Sequence, residues 1–405
     1  MDSAFGHAGQ KCSAASLAIL VGSVATSARF REQLVDAVNS LKVGYPSDPS
    51  AQMGPLVEPA TGKLALALTH LSPGEQWLVE PKQLDDTGRV WSPGVKVGVK
   101  RGSEFHLTEY FGPVLGLMAA GSLDEAIEIQ NEVDYGLTAG LHSLERSEIE
   151  KWVASVQAGN LYVNRGITGA IVRRQPFGGW KKSSVGAGTK AGGPNYLVGL
   201  SDWTSSPATV AAPLSPVVQR ILDGATDLVA EDLAFLARSL GSDAVAWRDE
   251  FGAARDVSGL DPERNWLRYV PVPVTVRFED ATVAHLLRVT AAGILAGATV
   301  DVSVAGRLDD QAATLLRSAG VHVAIHDAAA WTARLNTCAP TRVRLLGGSR
   351  EAFARDSNGR VDLKLYAQPV VEAGRIEMLT FLQEQAVAAT AHRFGSPSPL
   401  VDGLL

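Results

Sequence analysis

Cys12 lies in Gly9-Gln10-Lys11-Cys12-Ser13, a glycine-containing turn with a lysine beside the thiol. A thiol attacks a carbonyl carbon as its thiolate, and an adjacent cation or exposed backbone N–H groups lower the pKa that controls it. Taken by itself, a free cysteine is more often a small buried hydrophobe. Glu109-Tyr110-Phe111-Gly112-Pro113 sets a carboxylate and an aromatic ring two residues apart on one face of an extended segment, closed by a Gly-Pro turn. Such a pair can take a ribose diol on the carboxylate and a planar cofactor on the ring. The plainer alternative is a solvated glutamate beside a core phenylalanine. Gln175-Pro176-Phe177-Gly178-Gly179 and Lys190-Ala191-Gly192-Gly193-Pro194 offer bare backbone N–H groups that suit a carboxylate ligand, or are ordinary turns. Cys12 and Cys338 are the only cysteines in 405 residues, which excludes a disulfide framework and a Cys-rich zinc site. No metal centre is expected, and Cys338 and His392 read as structural.

The elements that must position these groups follow from hydrophobic spacing. Residues 15–24 predict a buried strand before a helix over 27–41, with apolar Phe30, Leu34, Val35, Val38 and Leu41 at helical spacing. A helix is expected over 58–71, with Pro59 in its first turn. Then come a strand over 114–120, a helix capped by Ser122 and running through Asn131, strands over 138–142 and 160–163, and a helix between those two strands from about 145 to 156. Glycines crowd residues 164–205 and predict loop. Ser, Pro and Ala dominate 201–216, which reads as a linker. Beyond it, extended segments over 266–278, strands over 299–304, 321–325, 342–346 and 361–365, and helices over 283–295, 311–318 and 328–335 predict a parallel, doubly wound sheet. The glycine fingerprint G-x-G-x-x-G is absent there. Residues 374–387 read as an amphipathic helix with a polar tail.

Composition narrows the function classes. Lys and Arg number 37 against 43 Asp and Glu, a net charge of -6, with no basic block to follow a phosphate backbone. Nucleic-acid binding is excluded as a main role. The longest apolar stretches fall short of a membrane span, and the first residues do not form a secretory signal. The expected location is the cytoplasm.

Seven ordered segments, at residues 3–14, 53–56, 109–113, 135–141, 158–164, 175–179 and 190–196, together resemble the aldehyde dehydrogenase superfamily. More closely they resemble the L-glutamate γ-semialdehyde (Δ1-pyrroline-5-carboxylate) dehydrogenase part of bifunctional proline utilisation A. The resemblance implies an α/β fold: an aldehyde dehydrogenase catalytic (thiol) domain plus a C-terminal, doubly wound, aldehyde-dehydrogenase-like Rossmann domain. The implied division is a catalytic domain over 1–175, an anchor loop, oligomerisation flap and linker over 176–215, and a degenerate domain over 216–405. It also implies NAD as cofactor. Cys12 is then the nucleophile that forms a thiohemiacetal and a thioester, with its own N–H on the oxyanion. Glu109 would bind the nicotinamide ribose and Phe111 pack near the ring. Ser13, Gly192 and Gly193 match positions that bind the α-carboxylate of the semialdehyde, and Phe177 lines the pocket.

The family's nucleotide loop, oxyanion-hole Asn and general-base Glu stand upstream of the cysteine, outside these residues. The expectation is a distal portion that is inactive alone, with an N-terminal segment that is poorly ordered or exposes apolar surface. Its partners would be a homo-oligomer or a complementary N-terminal half, and a proline dehydrogenase domain or chain. The alternative is a non-catalytic scaffold or pseudoenzyme that assembles with a separate N-terminal chain. In the C-terminal domain, residues 287–302 and Arg344-Leu345-Leu346-Gly347-Gly348-Ser349 resemble the family's cofactor-binding half. The cofactor lysine is missing, and Glu351 would repel a phosphate, so this copy is expected not to bind nucleotide.

Overall fold

The structure is a computed structural model that describes residues 1–186, 188–337 and 340–405. Cys338 lies outside the described residues. The first sheet takes β1 (Leu17–Val21), β2 (Gln76–Val79), β3 (Gly94–Val97) and β4 (Val114–Ala120) in the order β1-β4-β3-β2. β1 runs parallel to β4, from Leu17 opposite Gly116 to Val21 opposite Ala120, and β2 closes the far edge antiparallel. β4 is apolar and buried along almost its whole length, as a strand covered on both faces should be. β1, at the edge, keeps all five residues only half-buried.

Helix Ala28–Asn39 starts where Ser27 Oγ accepts from the Phe30 N–H at 3.2 Å, and helix Leu123–Glu132 where Ser122 Oγ accepts from the Glu125 N–H at 3.2 Å. Each hydroxyl satisfies a donor that a helix start leaves open. The helix expected over 58–71 is shorter, Gly62–Thr69, and Pro59 precedes it. The Leu56 and Ala60 N–H groups donate to the Arg89 and Gly88 carbonyls, so residues 56–60 lie extended along a neighbouring loop instead of coiling.

Four further pieces follow in the first half: β5 (Tyr135–Gly136), β6 (Thr138–Leu141), β7 (Asn160–Val163) and β8 (Trp180–Lys181), with helix Arg146–Ser155 between β6 and β7. Residues 202–215 carry no regular element. Helices Pro216–Gly224 and Ala230–Ala246 were not expected. The first had a readable signal in Ser215-Pro216, a cap followed by proline at the first helical position.

Strands β9 (Arg255–Asp256) and β10 (Glu263–Pro271) precede an all-parallel sheet of β11 (Val274–Phe278), β12 (Val300–Val304), β13 (His322–Ile325), β14 (Arg342–Leu346) and β15 (Lys364–Tyr366). Its order, β13-β12-β11-β14-β15, reverses direction between β11 and β14, the doubly wound topology. The segment over 266–278 is not one extended pair. The chain leaves one sheet after Pro271 and enters another at Val274.

The largest correction concerns residues 374–387. Only Gly374–Glu377 forms a helical turn, a 3-10 turn follows over Met378–Phe381, and the rest is strand β16 (Leu382–Thr390). β16 lies between β7 and β10 in a sheet of order β6-β7-β16-β10-β9. It runs parallel to β7, Ala386 opposite Asn160 through Ala389 opposite Val163, and antiparallel to β10 over nine pairs. Ala386, Val387, Ala388 and Ala389 are buried in consecutive order, which suits a central strand with both faces covered and not a helix with one wet face. Among the described residues no helix is long and apolar enough to cross a membrane, and no group of three or more His, Cys, Asp or Glu could hold a metal ion.

Candidate active site

The Cys12 loop is shaped by a left-handed turn. His7, Ala8 and Gly9 all have positive φ, at 55°, 56° and 69°. At Gly9 a Cβ would stand 2.1 Å from the Gly112 carbonyl oxygen, so the loop rests directly on the backbone of the Phe111-Gly112 segment. Gln10 ties the same two pieces together: its Nε2 donates to the Phe111 carbonyl at 3.3 Å, and its Oε1 accepts from the Val57 N–H at 2.9 Å. Cys12 is free and exposed at the end of this loop. Ser13 is buried beside it, its carbonyl accepting from Thr138 Oγ1 at 3.4 Å. Gly9→Ala is expected to cost about 1–3 kcal/mol through crowding and an unfavourable φ. Denaturation curves measure that cost, and the alkylation rate of Cys12 shows whether the loop has moved. No change in either would mean that the contact does not hold the loop.

Glu109 and Phe111 alternate outward around Tyr110, which is buried and stacked on Phe105 at 4.9 Å between centroids. Phe111 has φ 58° and is 40% exposed, so its ring is available to a flat ligand. Glu109 is exposed and its carboxylate enters no ion pair among the described residues, while Lys63 Nζ donates to its carbonyl. The site therefore has a thiol, a free carboxylate and an exposed ring on two segments held in backbone contact.

The glycine turn expected to hold a carboxylate sits on a third segment. Phe177 and Ala191 exchange backbone hydrogen bonds, both at 2.9 Å, and Phe177 is half-buried. Gly192 has φ 71°, and its carbonyl accepts from the Arg173 N–H at 3.0 Å. The Gly193 N–H donates to the Lys190 carbonyl at 3.1 Å, so it is engaged within its own turn. The loop through residues 164–175 links this turn to the cysteine region, because the Ile167 N–H donates to Ser3 Oγ at 3.1 Å. The Cys12 loop and the Glu109–Phe111 segment are thus joined through Gly9, Gln10 and Gly112. Gly192, Gly193 and Phe177 join them through that loop.

A buried network under the turn was missed from sequence. Lys190 Nζ donates to Asn160 Oδ1 at 2.8 Å and to the Gly178 carbonyl at 2.5 Å. Glu384 accepts from the Lys190 N–H at 2.8 Å and from Asn195 Nδ2 at 2.9 Å. Burial pushes the Lys190 ammonium below its usual range and the Glu384 carboxyl above it. Lys190 and Asn160 stood in segments singled out earlier, but Glu384 was hidden in the misread helix. Far from Cys12, a Cβ on Gly347 would lie 2.5 Å from the Asp280 backbone nitrogen, and one on Gly348 would lie 2.2 Å from Glu279 Oε2. The Asp280 backbone and the Glu279 carboxylate therefore pack closely on the turn that follows β14.

An exposed cysteine on a glycine loop ahead of the first strand of an α/β sheet, seated on a segment with an exposed carboxylate and an exposed ring, is the chemistry-bearing feature of this half of the chain. Residues 1–204, about half of the chain, match the aldehyde dehydrogenase family, and the chain belongs to that family. The 1-pyrroline-5-carboxylate dehydrogenases of Geobacillus sp. (strain WCH70) and Bacillus subtilis (strain 168) are 41% and 39% identical to it over 197 residues, 48% of this chain and 38% of each relative. The structure of proline utilization A (PutA) from Corynebacterium freiburgense is similar at a TM-score of 0.79 and 41% identity, covering 98% of this chain and 37% of that one. The chain thus spans well under half the length of these proteins.

Proposed function

We propose that the chain is the distal, thiol-bearing portion of an NAD-dependent dehydrogenase that oxidises L-glutamate γ-semialdehyde to glutamate in proline catabolism. The observation that carries this reading is the seating of the exposed Cys12 loop on the Phe111-Gly112 backbone, with the Glu109 carboxylate unpaired beside it. Cys12 Sγ attacks the aldehyde carbon, and the Cys12 backbone N–H faces the oxygen that takes up negative charge. NAD, when bound, supplies the hydride acceptor. Cys12 then holds the acyl group as a thioester until water releases the carboxylate. Glu109 would hold the nicotinamide ribose and Phe111 would lie against the ring. Ser13, Gly192 and Gly193 would bind the α-carboxylate of the substrate, and Phe177 would wall the pocket. The engaged Gly193 N–H implies that this turn opens slightly when substrate arrives.

The reading includes the division at 175 and 215, a cytoplasmic location, a proline dehydrogenase domain or chain that supplies the substrate, and assembly as a homo-oligomer or with a complementary N-terminal half. The Glu279 carboxylate close to Gly348 would repel a phosphate there and supports a C-terminal copy that binds no nucleotide. The family resemblance assigns no residue of this chain as general base, and single catalytic groups contribute roughly 10²–10⁴-fold each. The 405-residue chain alone is therefore expected to form little NADH from Δ1-pyrroline-5-carboxylate and NAD. Adding the upstream cofactor-binding half of the Bacillus subtilis relative as a separate polypeptide is expected to restore it. Brisk turnover by the chain alone would overturn the proposed dependence. Failure of every complementing half to restore turnover would overturn the dehydrogenase reading.

A further inference from the structure

A cavity of about 890 Å³ opens between the loop around residues 178–190, the segment around 198–203 and the β15 side of the C-terminal sheet. Four cations line it, Lys190, Arg342, Arg350 and Lys364, against two carboxylates, Glu384 and Asp202. Lys190 and Glu384 are committed to the network under the glycine turn. The other three cations enter no ion pair among the described residues. Arg342 is buried, donates through Nη1 to the Thr380 and Leu382 carbonyls at 2.9 and 3.0 Å, and lies 5.3 Å from the centroid of the Tyr366 ring. Among the described residues Lys364 Nζ reaches only a neutral partner, Ser184 Oγ at 2.5 Å. Burial and then the Arg342 charge push the Lys364 ammonium down to about 8.

Like charges held together in a partly desolvated space disfavour one another, and an anion between them would relieve both. The space suits a metabolite and not a lone ion, since ligand pockets commonly run to roughly 300–1,000 Å³. Trp203 and Tyr366 add flat apolar wall. We propose that this cavity is a binding site for a small dianion, a molecule carrying a phosphate or two carboxylates, held by Arg342, Arg350 and Lys364. The site is independent of the dehydrogenase reading. An occupant would bridge the Gly178–Lys190 loop and β15, and so fasten the segment that carries the glycine turn to the C-terminal sheet.

The test is calorimetric titration of the whole chain with inorganic phosphate and, separately, with succinate, at ionic strength held constant with chloride. Saturable binding of one or both is expected and identifies the anion class. Arg350→Gln and Lys364→Gln are each expected to weaken it about tenfold or more, the scale of one charge-assisted hydrogen bond. Arg350 is exposed, so its variant should keep the parent melting temperature, and Lys364 is half-buried, so its variant is compared with the parent at temperatures where both are folded. Arg342→Gln is a poorer probe because that residue also holds two backbone carbonyls. No saturable binding of either anion, or binding unaltered in both variants, overturns the proposal.

Discussion

Cys12→Ser, combined with the upstream half that restores turnover, is expected to form NADH from Δ1-pyrroline-5-carboxylate roughly 10⁴-fold or more slowly than the cysteine chain. A thiol ionises near neutral pH, and its thiolate is intrinsically a strong nucleophile, whereas a serine hydroxyl needs a dedicated base to act at all. The replacement is nearly isosteric and Cys12 is exposed on its loop, so folding should be unaffected. Circular dichroism and the melting temperature check that. Turnover within about tenfold of the cysteine chain, a barrier difference under about 1.4 kcal/mol, would remove Cys12 from the covalent role.

Glu377→Ala is expected to lower stability by about 3–5 kcal/mol, a third or more of what a domain of ordinary stability possesses. Glu377 and Arg344 are both fully buried in the C-terminal domain, and the guanidinium meets the carboxylate through two nitrogens, Nε at 2.7 Å and Nη2 at 3.2 Å. Truncating the acid strands a cation in the core. Arg344 Nη1 keeps its bond to the Gln368 carbonyl at 2.7 Å, but a neutral acceptor does not replace the lost charge. Pairing Glu377→Ala with Arg344→Met should recover part of the loss, because an apolar side chain of similar reach is tolerated where a lone charge is not. Urea denaturation of the parent, the single variant and the double variant measures both terms. A single-variant loss below about 1 kcal/mol would mean that the buried pair contributes little beyond specificity.

What was legible in the sequence was whatever local pattern controls. The strand over 114–120, the helix over 283–295 and the strand over 342–346 lie where hydrophobic spacing puts them. Cys12, Glu109 and Phe111 were picked out by the family resemblance and not by local pattern, which alone favoured a buried thiol and a solvated glutamate, and Gly9 and Gly112 are where their two backbones meet. What was illegible depended on partners far along the chain. β2 and β3 are four residues each and pair across a long irregular loop, with no hairpin signature. The segment Leu382–Thr390 has mixed spacing in isolation, and only the pairing of both its edges, with β7 and with β10, makes it a strand. Glu384 disappeared with that misreading, and with it the link from Lys190 to the C-terminal domain.

The shared sheet has a topological consequence. Because β16 inserts between β7 and β10, the last stretch of the chain completes a ladder begun before residue 164, and the exposed residues of 202–215 carry no strand of that sheet. Segment 202–215 therefore joins two stretches that are also paired through one ladder. A protease cut within it would sever the covalent chain without releasing either piece, since the backbone pairs of β16 with β7 would remain. The two parts could even be made as separate polypeptides and dock by strand insertion, so that the natural covalent bond sets their local concentration more than their arrangement.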